Sequence, residues 1–342
     1  MARFSICLAL LGTALVASPL VIAAPLERRT TATIPGYVMD YAPLVWLHSE
    51  DPFLPSDLGA QLLHTAPEVT FAPVLGAPSP LTLDNLDALN SMGGSKVFLT
   101  AREDVSSLPS WLFGVAPDAS GKTNGAVSTV VIVNDHGSGN VDAFYMYFYA
   151  YNYGGIFLWQ QVDDHVGDWE HTMVRFSNGV PTAVWFSQHA NGEAFTYDAV
   201  EKRGLRPVVY SANGSHANYA TSGTHDHLIP DVNLFYGILN DYCDQGKLWD
   251  PVLSAYFYSF DASTKAFTPA AGYNPLGLVN FVGQWGDQQY PDSDKRQEKI
   301  FGLEVSAKYT NGPTGPEDKQ LNRTNVCPDD GILCIVRPFL TP

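Results

Sequence analysis

The stretch DDHVGDWEHTMVRFSNGVPTAVWFSQH, residues 163–189, holds two strand-like runs around a turn. Trp169, Thr172, Val174 and Phe176 are β-branched or aromatic, which favours extended backbone. Ser177-Asn178-Gly179 supplies a turn, and Pro181 to His189 reads as the returning strand of a hairpin. Side chains alternate across a strand, so Asp168 and Glu170 are expected on one face and Trp169 and His171 on the other. On the return, Ala183, Trp185, Ser187 and His189 share a face. The stretch also gathers Asp163, Asp164, His165, Asp168, Glu170 and His171 in a chain that is only 16% charged. His165 is expected in a loop that folds back toward the carboxylates across Gly167. Two carboxylates and one imidazole, His165, Asp168 and Glu170, form a candidate oxygen-rich site for a divalent cation, calcium or magnesium. The competing assignment pairs the carboxylates with Arg175 or Arg206.

Outside this hairpin the chain repeats the same grammar. Tyr41 to His48 predicts an early strand, with His48, Glu50 and Asp51 at its end read as loop polars, the alternative being a place near the site. Leu83 to Leu89 predicts a short helix capped by Thr82. Ser128 to Val133 and the aromatic run Asp142 to Asn152 predict strands, the second as core and sheet surface. Val208 to Tyr210 is a further strand, followed by Gly214-Ser215-His216. No alternation of strand and helix suggests a parallel sheet, and no phosphate loop, GxSxG elbow or HExxH helix is present. The expected fold is mainly β: an antiparallel β-sandwich with a few short helices and long loop insertions, residues 30–342 forming one elaborated domain.

Three longer motifs carry a resemblance. They are His165-Val-Gly-Asp168-Trp169-Glu170-His171, Ser187-Gln-His189-Ala-Asn-Gly192, and Arg206-Pro207 through Gly214-Ser215-His216-Ala-Asn-Tyr219. With Tyr41-Ala-Pro-Leu-Val-Trp46-Leu-His48 upstream, they resemble the fungal vacuolar protein sorting-associated protein 62 family. More distantly, His165, Asp168 and Glu170 fall at the spacing of the metal-binding residues in the Gly-His-Arg-His-Asp-Trp-Glu signature of the necrosis-inducing proteins, secreted β-sandwich cytolysins. Val166 and Gly167 depart from that signature. The first resemblance implies a non-enzymatic role in vacuolar protein sorting, with the cation site supporting binding of a glycan or glycosylated lipid head group. The second implies a secreted cytolysin or effector. A third reading is a metal-dependent hydrolase, with His189 or His216 as the candidate catalytic base. His225 and His227, in a surface-like loop, are weaker candidates.

The N-terminus reads as a secretory signal peptide over residues 1–24: Arg3, a mostly apolar run from Ile6 to Ile22, then Ala23-Ala24. Arg28-Arg29 marks residues 25–29 as a candidate propeptide. No later stretch has the ~20 apolar residues of a membrane span. The expected location is the secretory pathway, secreted or vacuolar. A net charge of −16 disfavours nucleic acid and anionic lipid as nonspecific partners. With Cys7 in the signal peptide, Cys243, Cys327 and Cys334 remain. Cys327 and Cys334 flank a loop containing Pro328 and Gly331 and are the first choice of pair, which leaves Cys243 as a free thiol; Cys243 bonded to one of them is the alternative. Asn213 and Asn322 head N-glycosylation sequons, Asn322 in an exposed polar segment and Asn213 inside the crowded Gly-Ser-His motif.

Overall fold

Asn140–Asn152 and His165–Ser177 are the two longest strands, and they pair antiparallel along their whole length. The computed structural model describes residues 31–226, 239–299 and 307–340. The expected signal peptide and propeptide, and His227, lie outside the described residues.

Around these two strands an eight-stranded sheet forms in the order Ala266–Pro269, Ala255–Asp261, Thr129–Gly137, Asn140–Asn152, His165–Ser177, Val180–Gln188, Asn191–Thr196, Val336–Arg337. A second sheet joins Lys202–Arg203, Arg206–Ser211, Leu44–Leu47 and Lys247–Trp249, with Asn218–Tyr219 against Arg206–Ser211. The turn expected at Asn178-Gly179 joins the central hairpin, with φ of 51° and 77° at those two residues, the left-handed pair that suits strand twist. Thr31–Pro342 is one compact unit.

The two sheets face each other. Tyr145, Tyr147, Tyr149, Val174, Phe176, Val184 and Phe186 of the large sheet pack with Val45, Leu47, Val209 and Trp249 of the small one. The large sheet's other face is also covered, by non-strand segments carrying Leu58, Leu86, Leu278, Phe281, Trp285 and Leu321, packed on Phe144, Phe148, Trp169 and Trp185. Burial on both faces explains why Asn140–Asn152 shows an unbroken aromatic run rather than alternation.

The fold is the expected β architecture, with three departures in detail. Leu44–Leu47 runs parallel to Arg206–Ser211, Ala255–Asp261 runs parallel to Thr129–Gly137, and Val336–Arg337 runs parallel to Asn191–Thr196. The helix expected at Leu83–Leu89 is a 3-10 turn at Leu86–Ser91, and the Thr82 backbone N–H donates to Asn85 Oδ1 instead of capping it. A seven-residue helix at Leu58–His64 is capped by Asp57, whose Oδ1 accepts from Ala60 N at 2.7 Å.

Candidate functional site

The site grows from the start of the central strand. His165 belongs to that strand and not to a loop; its Nδ1 lies 2.7 Å from the carbonyl oxygen of Gly167. Gly167 has φ +69°, and a Cβ there would come within 2.2 Å of the Trp285 carbonyl oxygen. No side chain fits at that point. Asp168 and Glu170 then pair across the ladder with Tyr149 and Tyr147. They share the face of those tyrosines, while Trp169 packs against Phe148 on the other side.

Asp168 is buried against His216. Its Oδ2 lies 2.9 Å from His216 Nδ1, and His216 Nε2 donates to the Phe53 carbonyl oxygen at 2.9 Å. Asp51 Oδ2 is 3.5 Å from the same Nε2. Backbone N–H groups of Phe53 and Gly214 fix Asp51, and the imidazole stacks on Tyr149 with 3.7 Å between centroids. Both ring nitrogens therefore face acceptors. Burial opposes charge on His216, but the bond to Asp168 and the charges of Asp51 and Asp168 outweigh it and raise its pKa.

Glu170 takes a different partner. The ladder to the neighbouring strand runs through Thr172 and Phe186. Next to it Asn218 reaches in from the small sheet, its Nδ2 3.4 Å from Ser187 Oγ, and Gln188 Nε2 donates to its carbonyl oxygen at 3.1 Å. Ser187 Oγ accepts from His171 N at 2.8 Å and donates to Glu170. Burial, and then the charge of Asp168, push the Glu170 carboxyl well up from its ordinary value. His189 sits just past the strand end with φ 53°. Its Nε2 is 2.7 Å from Asp241 Oδ2, and Asp241 also accepts from Ser215 Oγ and Tyr219 Oη, each at 2.6 Å. Burial would lower the His189 pKa, but the charge and bond of Asp241, with the charge of Glu170, push it up to about 9.

Ser215 and Asp241 form part of the wall of a cleft of about 690 Å³. Phe53, Tyr153, Ile156 and Tyr242 give it apolar surface; Glu50, Gln161 and Asn213 give it hydrogen-bonding groups. Glu170 and His189 line a separate cavity of about 230 Å³ beside Trp169, Trp185 and Arg323.

Residues 156–311 match the family model of vacuolar protein sorting-associated protein 62. The putative vacuolar protein sorting-associated protein TDA6 of Saccharomyces cerevisiae is 37% identical over 334 residues, covering 87% of this chain and 69% of the relative. Vacuolar protein sorting-associated protein 62 of the same yeast is 34% identical over 325 residues, covering 86% and 68%. The chain belongs to the vacuolar protein sorting-associated protein 62 family. Among solved structures it is similar to necrosis and ethylene inducing protein 2 from the agent of cocoa's witches' broom disease, at 17% identity and TM-score 0.28, over 61% of this chain and 76% of that one. It is also similar to a structure described as a toxin fold in microbial attack and plant defense, at 12% identity and TM-score 0.28, over 65% and 72%.

In this family member the expected site residues separate into groups. Asp168 and His216 meet, Glu170 meets Ser187, and His189 meets Asp241. His165 engages the Gly167 carbonyl oxygen of its own strand through Nδ1. Among the described residues no three His, Cys, Asp or Glu side chains are grouped as a metal-ligand set. Asp168 and Glu170 remain a carboxylate pair on one face, which fits part of a cation site. Neither arginine takes them: Arg175 is bidentate to Asp142, and Arg206 to Asp250. His225 stacks on Tyr219, and its Nε2 lies 3.0 Å from the Thr221 carbonyl oxygen. Cys327 and Cys334 are bonded, and Cys243 is free and buried. Asn322 is exposed, whereas Asn213 is half-buried.

Asp51, Ser187, Tyr219 and Asp241 complete the site; the sequence reading offered Asp51 a place near it only as the lesser alternative and gave the other three no role. Asp51 lies in the loop after Leu44–Leu47, but it is buried there as a partner of His216. Its closeness in sequence to the Tyr41–His48 motif was a usable signal. Asp241, in Asn-Asp-Tyr-Cys, had none.

Proposed function

We propose that this protein serves vacuolar protein sorting in the secretory pathway as a binding protein, and that its cleft receives a glycan or glycosylated lipid head group. The observation that carries this reading is the cleft lining. Aromatic and apolar surface from Phe53, Tyr153 and Tyr242 stands beside Glu50, Gln161 and Asn213, with no Lys or Arg lining the cleft among the described residues. Such a mixture suits a neutral, hydroxyl-rich ligand. The names of the yeast relatives supply the sorting role. Binding is favoured over catalysis by His216, which is fully buried with both nitrogens engaged. A general base must reach the proton it removes.

Glycan-array binding followed by calorimetry tests this. Tyr242→Ala and Asn213→Ala should each weaken a positive glycan at least about tenfold, the size of one lost contact of ~1.4 kcal/mol. A silent array with release of reducing sugar or phosphate by the purified protein replaces this reading with the hydrolase. Dye release from vesicles of glycosylated lipid replaces it with the cytolysin.

A calcium or magnesium ion at Asp168 and Glu170 is a second reading, favoured by their repulsion. Two buried carboxylates share a face, and the charge of Asp168 helps push the Glu170 carboxyl up; a divalent cation relieves that repulsion. Bound only by the native state, it adds about 2.7 kcal/mol at a hundredfold excess over its dissociation constant. The protein should then melt higher in calcium or magnesium than in chelator, and Asp168→Asn and Glu170→Gln should lose the difference. Equal melting in both buffers, with no metal bound, removes the cation.

A further inference from the structure

Residues 156–161 form a small hairpin, Ile156–Phe157 against Gln160–Gln161, and among the described residues its tip lies exposed. Trp159 is 94% exposed, the highest value among the exposed large apolar residues described, with Leu158 at 49% and Ile156 at 60%. The two tip residues have φ of 46° and 66°. A two-residue turn of that shape is the province of Asn-Gly, because side chains beyond Cα crowd the left-handed backbone. A leucine and a tryptophan here are sterically costly and bury little in return. The base is fixed: Phe157 packs with Val162 and Leu239. The tip is thus held out from a fixed base. Strain kept at an exposed position points to a use outside the fold.

We propose that the Leu158–Trp159 tip is a membrane-interface anchor that holds the protein reversibly on neutral, zwitterionic lipid. Tryptophan concentrates at the level of lipid head groups, where an apolar ring with one polar N–H is satisfied on both sides. The flanking residues Gln160 and Gln161 are polar and uncharged. No Lys or Arg occurs between Lys122 and Arg175, and the chain carries a net charge of −16. The element therefore lacks the cations that draw a protein to anionic lipid. A single apolar prong gives weak attachment, since stable anchoring takes two signals. Ile156 and Gln161, in the two strands of this hairpin, line the cleft, so an anchored tip sets the cleft beside the lipid surface. The anchor does not depend on what the cleft binds.

Vesicle flotation tests it with glycan-free phosphatidylcholine, so a failure here is separate from a failure of the cleft's ligand. The full chain should float with these vesicles, and lipids brominated near the head group should quench part of its tryptophan emission. The double variant Leu158→Asn/Trp159→Gly should lower the partition coefficient at least tenfold while melting at the same or a higher temperature, because the turn strain is relieved. A purely structural tip predicts the opposite, a lower melting temperature. Adding phosphatidylserine should weaken flotation. The proposal is overturned if the wild type stays in solution, if the double variant floats equally well or melts lower, or if anionic vesicles bind better.

Discussion

Arg323 is 2% exposed, and its bonds go to neutral groups. Carbonyl oxygens of Lys319, Gln320 and Val326 accept at 3.0, 3.1 and 3.2 Å, and His171 Nε2 accepts at 2.7 Å. The guanidinium lies over the rings of Phe144 and Trp185, at 5.0 and 5.7 Å. Burial pushes the Arg323 pKa down to about 9. His171 can accept only through a neutral ring, and burial with the charges of Arg323 and Lys319 holds its pKa well down. The sequence placed His171 correctly, away from Asp168 and Glu170, but it offered no sign of this partner 152 positions later. His171→Phe keeps the ring and removes the acceptor, leaving a buried cation short of one bond; urea unfolding should register a loss of about 3 kcal/mol. Arg323→Met in the same background should recover part of it. A loss below about 0.5 kcal/mol in His171→Phe would show that the carbonyls alone satisfy Arg323. Cys243 supplies a simpler check, because burial raises its thiol pKa well above the ordinary value. A chain cleaved near Pro25 should show one thiol by titration without reductant, and only after denaturation.

The central hairpin was legible because its cues are local. β-branched and aromatic residues define its strands, and Asn178-Gly179 fits the left-handed turn that joins them. The disulfide was legible from a short loop. What was not legible depends on distant chain. The strand continues back to His165 because Val166 and Gly167 lie against Trp285 and Gly286, and a Cβ on Gly286 would come within 1.7 Å of the Val166 carbonyl oxygen. Nothing near His165 records that approach, so the segment read as a loop. The parallel strand pairs and the two-sided cover of Asn140–Asn152 were hidden for the same reason. Leu83, Leu86 and Leu89 are all buried, but their spacing could not tell a 3-10 turn from an α-helix. Gly167→Ala tests the approach directly. The new methyl meets backbone at 2.2 Å with φ at +69°, so the strand must shift. The expected cost is at least about 3 kcal/mol by urea unfolding, combining left-handed strain with a clash that no rotamer relieves. A cost under about 1 kcal/mol would mean that Trp285 moves freely.

Across the molecule, buried ionisable groups bias the native state toward binding protons. Burial raises the carboxyl pKa of Asp51, Glu170 and Asp287, and lifts that of Asp164 from 3.8 to about 7. Despite burial, neighbouring carboxylates lift the pKa of His216, and that of His189 to about 9. The sign is the same for both kinds of group. Between the unfolded and folded pKa values the native state holds more protons than the unfolded chain, so stability falls as pH rises. For Asp164 the stabilisation is complete below about pH 4 and is lost as pH climbs through about 7. His189 extends the loss from the ordinary value near 6.5 up to about 9, and His216 adds to it in the same direction. Self-repulsion at a net charge of −16 grows in the same direction. His171 opposes, since its pKa is lowered and the native state resists protonating it; its stabilisation is lost as pH falls through and below its ordinary value of 6.5. The acid-favouring groups outnumber it. Urea unfolding at pH 5.5, 6.5 and 8 should therefore show declining stability, with Asp164 alone responsible for roughly 2 kcal/mol over that window. Asp164→Asn still accepts from the Tyr151 hydroxyl, which donates to Asp164 at 2.7 Å, yet it carries no titration. Its stability should fall less steeply between pH 5.5 and 8 than that of the wild type. Stability that is level or rising over that range would show that these buried groups ionise without cost, and that the cleft's surroundings admit far more water than their burial implies.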